Sequence, residues 1–313
     1  MKIQDLAKIA GVSTATVSRV FSHHPNVRSE VRERVLAAAR RHGYLPRLSG
    51  KRKDVVLLVP YQQSYPAPEY VEMVTTELIA ALAKRKFRIE ILPHDNLDQL
   101  NGNSFCGAVA IGVDAPPQWE ERFALPLVTI DRPWNKLSCC FAVRSDEIQG
   151  MTLAIEHLRV RGCTKVGVLI YGARSVGNVE LRFTGALQAL KKCGLPSGRH
   201  LVKVADADSF LEETGKLLRN GIDGLFCCGG SNAGGVAAYC LSLYERRIPE
   251  DIRLVSSERV RISRYCIPPQ TTISQDYTRL AERTVSVIEA AMAGDNFPPE
   301  TVLPYHLIER DST

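Results

Sequence analysis

Four of the first twenty residues have side chains suited to reading a nucleobase: Thr14, Ala15, Ser18 and Arg19. On a helix that starts after Ser13 they share one face, while Val17, Val20 and Phe21 take the other. Short polar and methyl-bearing groups beside one long donor are what the floor of a DNA major groove requires. Arg19 can grip guanine through O6 and N7, and the methyls of Thr14 and Ala15 can meet thymine. Ser13, Thr16, Ser18 and Asn26 suit phosphate oxygens, which fix position without reading sequence. Charge points the same way. Residues 1–53 hold twelve Lys/Arg against three acids, whereas the other 260 hold 28 basic and 31 acidic groups. A basic head on a slightly acidic body implies a polyanion partner for the head alone.

No other constellation carries chemistry. The seven histidines (23, 24, 42, 94, 157, 200, 306) lack metal-ligand spacing, and the nine cysteines include no CxxC pair. Cys139/Cys140 and Cys227/Cys228 lie in apolar runs that read as buried strands, so the thiols are expected to fill core. The stretch GGSNAGG (229–235) has the composition of a phosphate loop but neither GxGxxG nor the Lys-Ser/Thr ending. The chain is therefore expected to need no metal and no cofactor and to have no catalytic residues.

These residues need a frame. Ile3, Leu6, Ala7 and Ala10 form the stripe of a first short helix that Gly11 ends, and Ser13 caps the second. A third, from about Ser29, is expected to bury Val31, Val35, Leu36, Ala38 and Ala39 and to stop at Gly43, Tyr44 and Pro46. Together these make a helix-turn-helix. From Asp54 onward, apolar strands (55–59, 88–92, 107–112, 127–131, 165–170, 223–227, 252–256) alternate with helical stretches near 70–85, 147–161, 179–193, 208–219, 233–246 and 276–293. That alternation predicts parallel sheets covered on both faces. VVLLVP (55–60) echoes KVGVLIYG (165–172), and FCGAVAIG (105–112) echoes DGLFCCGG (223–230), which favours two similar lobes over one large sheet. No apolar run reaches the roughly 18 residues of a membrane helix. The charged, helically spaced N-terminus does not read as a secretion signal, so a cytoplasmic, nucleoid-associated protein is expected.

IQDLAKIAGVSTATVSRV followed by VRSEVRERVLAAARRHGYLP resembles the DNA-binding head of the LacI/GalR family of bacterial transcription regulators. The body is similar to that family as well, through LVTIDRP (127–133), VRSDEIQG (143–150), HLRVRGCTKVGVL (157–169), LRFTGALQAL (181–190), IPEDIRLVS (248–256), PPQTTISQ (268–275) and LPYHLIERDST. The resemblance implies an all-α helix-turn-helix head joined to an α/β periplasmic-binding-protein-like core of two doubly wound lobes, with an effector cleft between them, working as a homodimer. The head is placed at 1–46, a short basic linker at 47–53 and the core at 54–313. The first lobe is about 54–146 plus 276–295, and the second about 147–275 plus 300–313.

Family positions that read bases coincide with Thr14, Ala15 and Arg19. Two departures stand out. The linker (Pro46, Arg47, Leu48, Ser49, Gly50, Lys51, Arg52, Lys53) is about two helical turns shorter than in relatives, and Gly50 works against a hinge helix. Arg47, Lys51, Arg52 and Lys53 are expected to contact phosphates from a flexible tether, with Leu48 a poor wedge for the minor groove. In the cleft, Arg182 and Gly185 match a family arginine and glycine, and that guanidinium can clamp a hydroxyl pair or a carboxylate. Ser231 stands where relatives carry an aspartate, and Glu258 replaces another. Asp131 follows a first-lobe strand, and Trp134 is suited to stack on a sugar ring. Asp146 and Glu147 match an Asp-Asn pair that shapes the crossover.

The function expected is that of a sequence-specific DNA-binding regulator, a repressor controlled by a small metabolite such as a sugar. The alternatives are a regulator that has lost effector control, and a cytosolic solute-binding module or α/β enzyme. The dimer is expected to form through the helix near Tyr70, whose Met73, Val74, Leu78, Ala81 and Leu82 offer an apolar stripe.

Overall fold

The computed structural model describes residues 1–22, 24, 26–44, 53–60, 68–100, 105–123, 125–172, 177–230, 232–258 and 262–313. Three helices come first: α1 (Ile3–Ala10), α2 (Thr14–Phe21) and α3 (Ser29–Arg41). Leu6, Ala7 and Ala10 share an apolar cluster with Val17, Val20, Phe21, Val35, Leu36 and Ala39, and the Tyr44 ring lies 5.8 Å from that of Phe21. Val31 and Ala38, also expected inside, are only half-buried. Gly11 stops α1 at φ 63°, a left-handed geometry that would cost a side-chain-bearing residue about 1–2 kcal/mol.

Twelve strands and seven helices follow: β1 (Asp54–Val59), α4 (Pro68–Lys84), β2 (Arg88–Pro93), β3 (Gly107–Ile111), α5 (Trp119–Arg122), β4 (Leu127–Ile130), β5 (Cys140–Ser145), α6 (Glu147–Val160), β6 (Val166–Tyr171), α7 (Gly177–Lys192), β7 (Val202–Ala205), α8 (Phe210–Arg219), β8 (Gly224–Cys228), α9 (Ala233–Leu243), β9 (Arg253–Ser257), β10 (Thr271–Ser274), α10 (Tyr277–Ala293), β11 (Glu300–Leu303) and β12 (His306–Ile308) among the described residues. They build two six-stranded sheets, ordered β2-β1-β3-β4-β5-β11 and β7-β6-β8-β9-β10-β12. In the first, β2, β1, β3, β4 and β5 run parallel. In the second, only β12 is antiparallel. Fully buried runs such as GAVAI and GLFCC occupy the middle, as strands covered on both faces require.

Contacts divide the described chain into two units, one drawn from Met1–Tyr65, Val71–Arg144 and Tyr277–Val302, the other from Pro66–Tyr70, Ser145–Asp276 and Leu303–Thr313. The chain returns to the second unit at Leu303, the last residue of β11, while β11 itself pairs in the first sheet. The head clusters with the first sheet, where Arg40 donates to the Glu121 carbonyl at 3.2 Å. Eight of the nine cysteines are buried and Cys266 is partly so; burial raises Cys106 and Cys228 to about 12, keeping those thiols protonated.

Most of the α4 stripe is buried within its own unit: Val74, Leu78, Ala81 and Leu82 are all under 10 % exposed in the single chain. Met73 is half-buried, and Ile79 on the same helix is 41 % exposed.

Candidate DNA interface and effector residues

Ser13 caps α2 by accepting from the Thr16 amide at 3.0 Å, and the two hydroxyls lie 2.9 Å apart. With Val17, Val20 and Phe21 anchored below, the opposite face presents Thr14, Ala15, Ser18 and Arg19 to solvent. All four expected base-side residues therefore share one exposed surface on a rigid, capped helix. Asn26 is exposed beyond it, its amide donating to His24 Nδ1 at 3.2 Å. Arg47, Lys51 and Arg52, with Leu48, lie outside the described residues. Lys53 differs from its expected role in a tether. Its ammonium donates to the Arg85 carbonyl at 2.8 Å and stands 5.3 Å from the Phe87 ring centre, which ties it to the first sheet.

In the first unit, Asp131 follows β4, buried and at φ 51°. A non-glycine residue held left-handed at the carboxyl end of a central strand is a strained position of the kind found at functional sites. Its amide donates to the Val143 carbonyl at 3.0 Å, and its carbonyl accepts from Arg132 Nη1 at 3.1 Å. Arg132 Nε lies 3.4 Å from Asp114. Trp134 is half-buried and fixed: its indole N–H donates to the Cys140 carbonyl at 2.9 Å, and its amide to Glu300 at 3.3 Å. Glu300 also receives Arg144 Nε at 2.9 Å, and that bond holds its carboxyl below the usual range.

In the second unit, two of the expected residues, Arg182 and Glu258, sit in ion pairs. Arg182, on α7, donates Nε and Nη2 to the two Glu147 oxygens at 2.9 and 2.8 Å, with side chains 19 and 7 % exposed. Burial opposes the guanidinium's charge, but Glu147 outweighs it and holds Arg182 well above its ordinary value. Glu147 opens α6, next to Asp146, which caps that helix through the Gln149 amide at 3.0 Å. Glu258, one residue past β9, is buried against Arg310, whose Nη1 and Nη2 reach its oxygens at 2.9 and 3.2 Å; Thr272 also bonds to it. Ser231 lies outside the described residues.

Arg182 sits at the point of this sheet that topology favours for a ligand. From β6 the chain goes to β7 on one side and to β8 on the other, so the strand order reverses between β6 and β8. Ligands of open α/β sheets bind outside the carboxyl ends of strands at that reversal. Gly229, directly after β8, has φ 87°; a Cβ there would stand 2.4 Å from the Tyr171 carbonyl at the end of β6 and 3.2 Å from Arg182 Nη1. Only glycine lets the two strand ends and the guanidinium meet. Sequence reading missed the partners: Glu147 and Arg310 lie 35 and 52 residues from the groups they neutralise, and no local spacing announces either.

Comparison with known proteins agrees with this architecture. Residues 2–47 match the model of bacterial regulatory proteins of the lacI family, and residues 155–313 match the periplasmic binding protein-like domain. The chain is 24 % identical to the HTH-type transcriptional regulator DegA of Bacillus subtilis, over 99 % of this chain and 97 % of that one. It is 25 % identical to the HTH-type transcriptional repressor CytR of Escherichia coli, over 99 and 96 %. The solved complex of the transcriptional regulator CelR with cellobiose aligns over the whole of both chains, with a TM-score of 0.72 and 25 % identity. With a helix-turn-helix whose reading face is exposed and a core of two doubly wound sheets, the chain belongs to the LacI family and is a DNA-binding transcriptional regulator.

Proposed function

We propose that this regulator is a cytoplasmic repressor that reads its operator through Thr14, Ala15 and Arg19, holds phosphates through Ser13, Thr16, Ser18 and Asn26, and responds to a sugar. The observation that carries the DNA half is the exposed face of α2 on a helix fixed by the Ser13 cap. Arg47, Lys51 and Arg52 add sequence-independent attraction from the linker. The effector half rests on Arg182 at the strand-order reversal, and the full-length likeness to a cellobiose-bound regulator supports a sugar as the ligand. Asp131, directly after β4 in its own unit, and Ser231, three residues beyond β8 in the sequence, are each effector contacts in the same reading. Trp134 and Glu258 act by shaping their surroundings, since each is already bonded within its own unit. The protein has no catalytic role in this reading.

A homodimer is part of the reading. Val236, Tyr239 and Leu243 are 40, 63 and 52 % exposed and recur at i, i+3 and i+7 along α9, an apolar stripe that suits a second copy better than α4 does. A thermal-shift screen over neutral sugars, paired with operator titrations, tests the whole. Stabilisation of several degrees by one sugar together with a changed operator affinity is expected. If no sugar shifts either quantity, the protein is a regulator without effector control.

A further inference from the structure

Arg182 has three guanidinium nitrogens, and Glu147 takes two of them. Nη1 has no hydrogen bond among the described residues, and it faces the gap that Gly229 leaves by lacking a Cβ. One edge of the guanidinium thus remains for a ligand, and the pair behind that edge carries no net charge. Cys228 feels both charges as well, but burial raises it to about 12, so it adds none.

A lone arginine at this position would favour a carboxylate or phosphate, which its fork binds through two parallel bonds. Here a carboxylate of the chain itself already takes the Nε/Nη2 edge and cancels the guanidinium's charge. An incoming anion can still reach the outer Nη1/Nη2 edge, but it would meet a pair of no net charge, with the Glu147 carboxylate across a single guanidinium. A hydroxyl gains the same donors without that repulsion.

We propose that Glu147 is a specificity-determining residue: by neutralising Arg182, it makes this site accept neutral hydroxylated ligands and reject carboxylates and phosphates. The inference rests on the reading of Arg182 as an effector contact and goes beyond it by naming the charge class and the residue that sets it.

The test is inorganic phosphate binding to the full chain by calorimetry at constant ionic strength, for wild type, E147Q and E147Q/R182Q. The basic head contributes equally to all three, so the differences report on this site. E147Q is expected to bind phosphate at least about tenfold more tightly than wild type, with the double variant back at the wild-type level. Equal affinity in wild type and E147Q overturns the proposal, as does a gain that persists without Arg182. E147N is measured in parallel, so that poor folding of one variant leaves the other to decide. The outcome is separable from the effector reading: failure of every neutral sugar to bind wild type would reject a sugar effector, while the phosphate comparison would still judge the role of Glu147.

Discussion

Single side chains here divide into those left facing solvent and those already bonded inside the fold. Arg19 is of the first kind: exposed, on a helix whose other face is core, with the reach to meet a guanine. Replacing it with alanine removes a base contact worth about 1–3 kcal/mol of discrimination. The ratio of operator to non-specific affinity for Arg19→Ala should fall roughly 5- to 150-fold in competition gel shifts, with non-specific binding reduced much less. An unchanged ratio would reject α2 as the reading helix. His157 is of the second kind, buried on α6 with Nε2 2.9 Å from the Thr313 hydroxyl. Burial lowers its pKa from 6.5, opposed by Glu309 and aided by Arg161. Below about that pH the unfolded chain takes the proton more readily than the folded one, so stability declines as the solution is acidified from pH 7.5 toward 5.5. His157→Gln should flatten that part of the stability curve in denaturant titrations, and an identical slope in both proteins would remove His157 as a source of acid sensitivity.

Elements were legible from sequence where apolar runs were long, and obscure where they were short or polar. VVLLV and GLFCC announce β1 and β8, and TATVSRVF shows α2 by its periodicity. Strands β7 (VKVA) and β10 (TTIS) have four residues each and half-polar sequences; their identity comes from pairing with β6 and β9, a tertiary fact no local window contains. The stripe on α4 was visible, but its destination was not, because an apolar face looks the same whether it meets its own sheet or another chain. The candidate site shows the same limit. Arg182 was found by its motif, while Glu147 and Arg310 became its setting and that of Glu258 only through folding. The cap on α2 gives an element-scale prediction: Ser13→Ala removes the acceptor for the Thr16 amide and should cost the head about 1 kcal/mol, read as a lower melting temperature. No change would mean that the cap contributes nothing to the fold of α2. The linker yields another, drawn from sequence. Replacing Arg47, Lys51 and Arg52 with glutamine should reduce the slope of log affinity against log salt by nearly one per residue, at operator and random DNA alike. A loss confined to the operator would mean that the linker reads sequence.

At the scale of the whole molecule, a basic head with an exposed reading face is carried by two doubly wound sheets, and a repressor built this way works by placing two heads on a two-fold site. Tyr239→Glu with Leu243→Glu should convert a dimer into a monomer in sedimentation at micromolar concentration, and operator affinity should fall with it; a dimer that survives both changes would exclude α9. Such a molecule must recognise a DNA sequence. Titration of the purified full chain against a duplex recovered by in-vitro selection and a scrambled duplex of equal length and composition, at one fixed salt concentration near 150 mM, measures that recognition. The selected site should be two-fold symmetric, take up two chains per duplex and be preferred at least a thousandfold over the scrambled one. Equal affinity for the two duplexes, with the same salt dependence, would contradict that recognition.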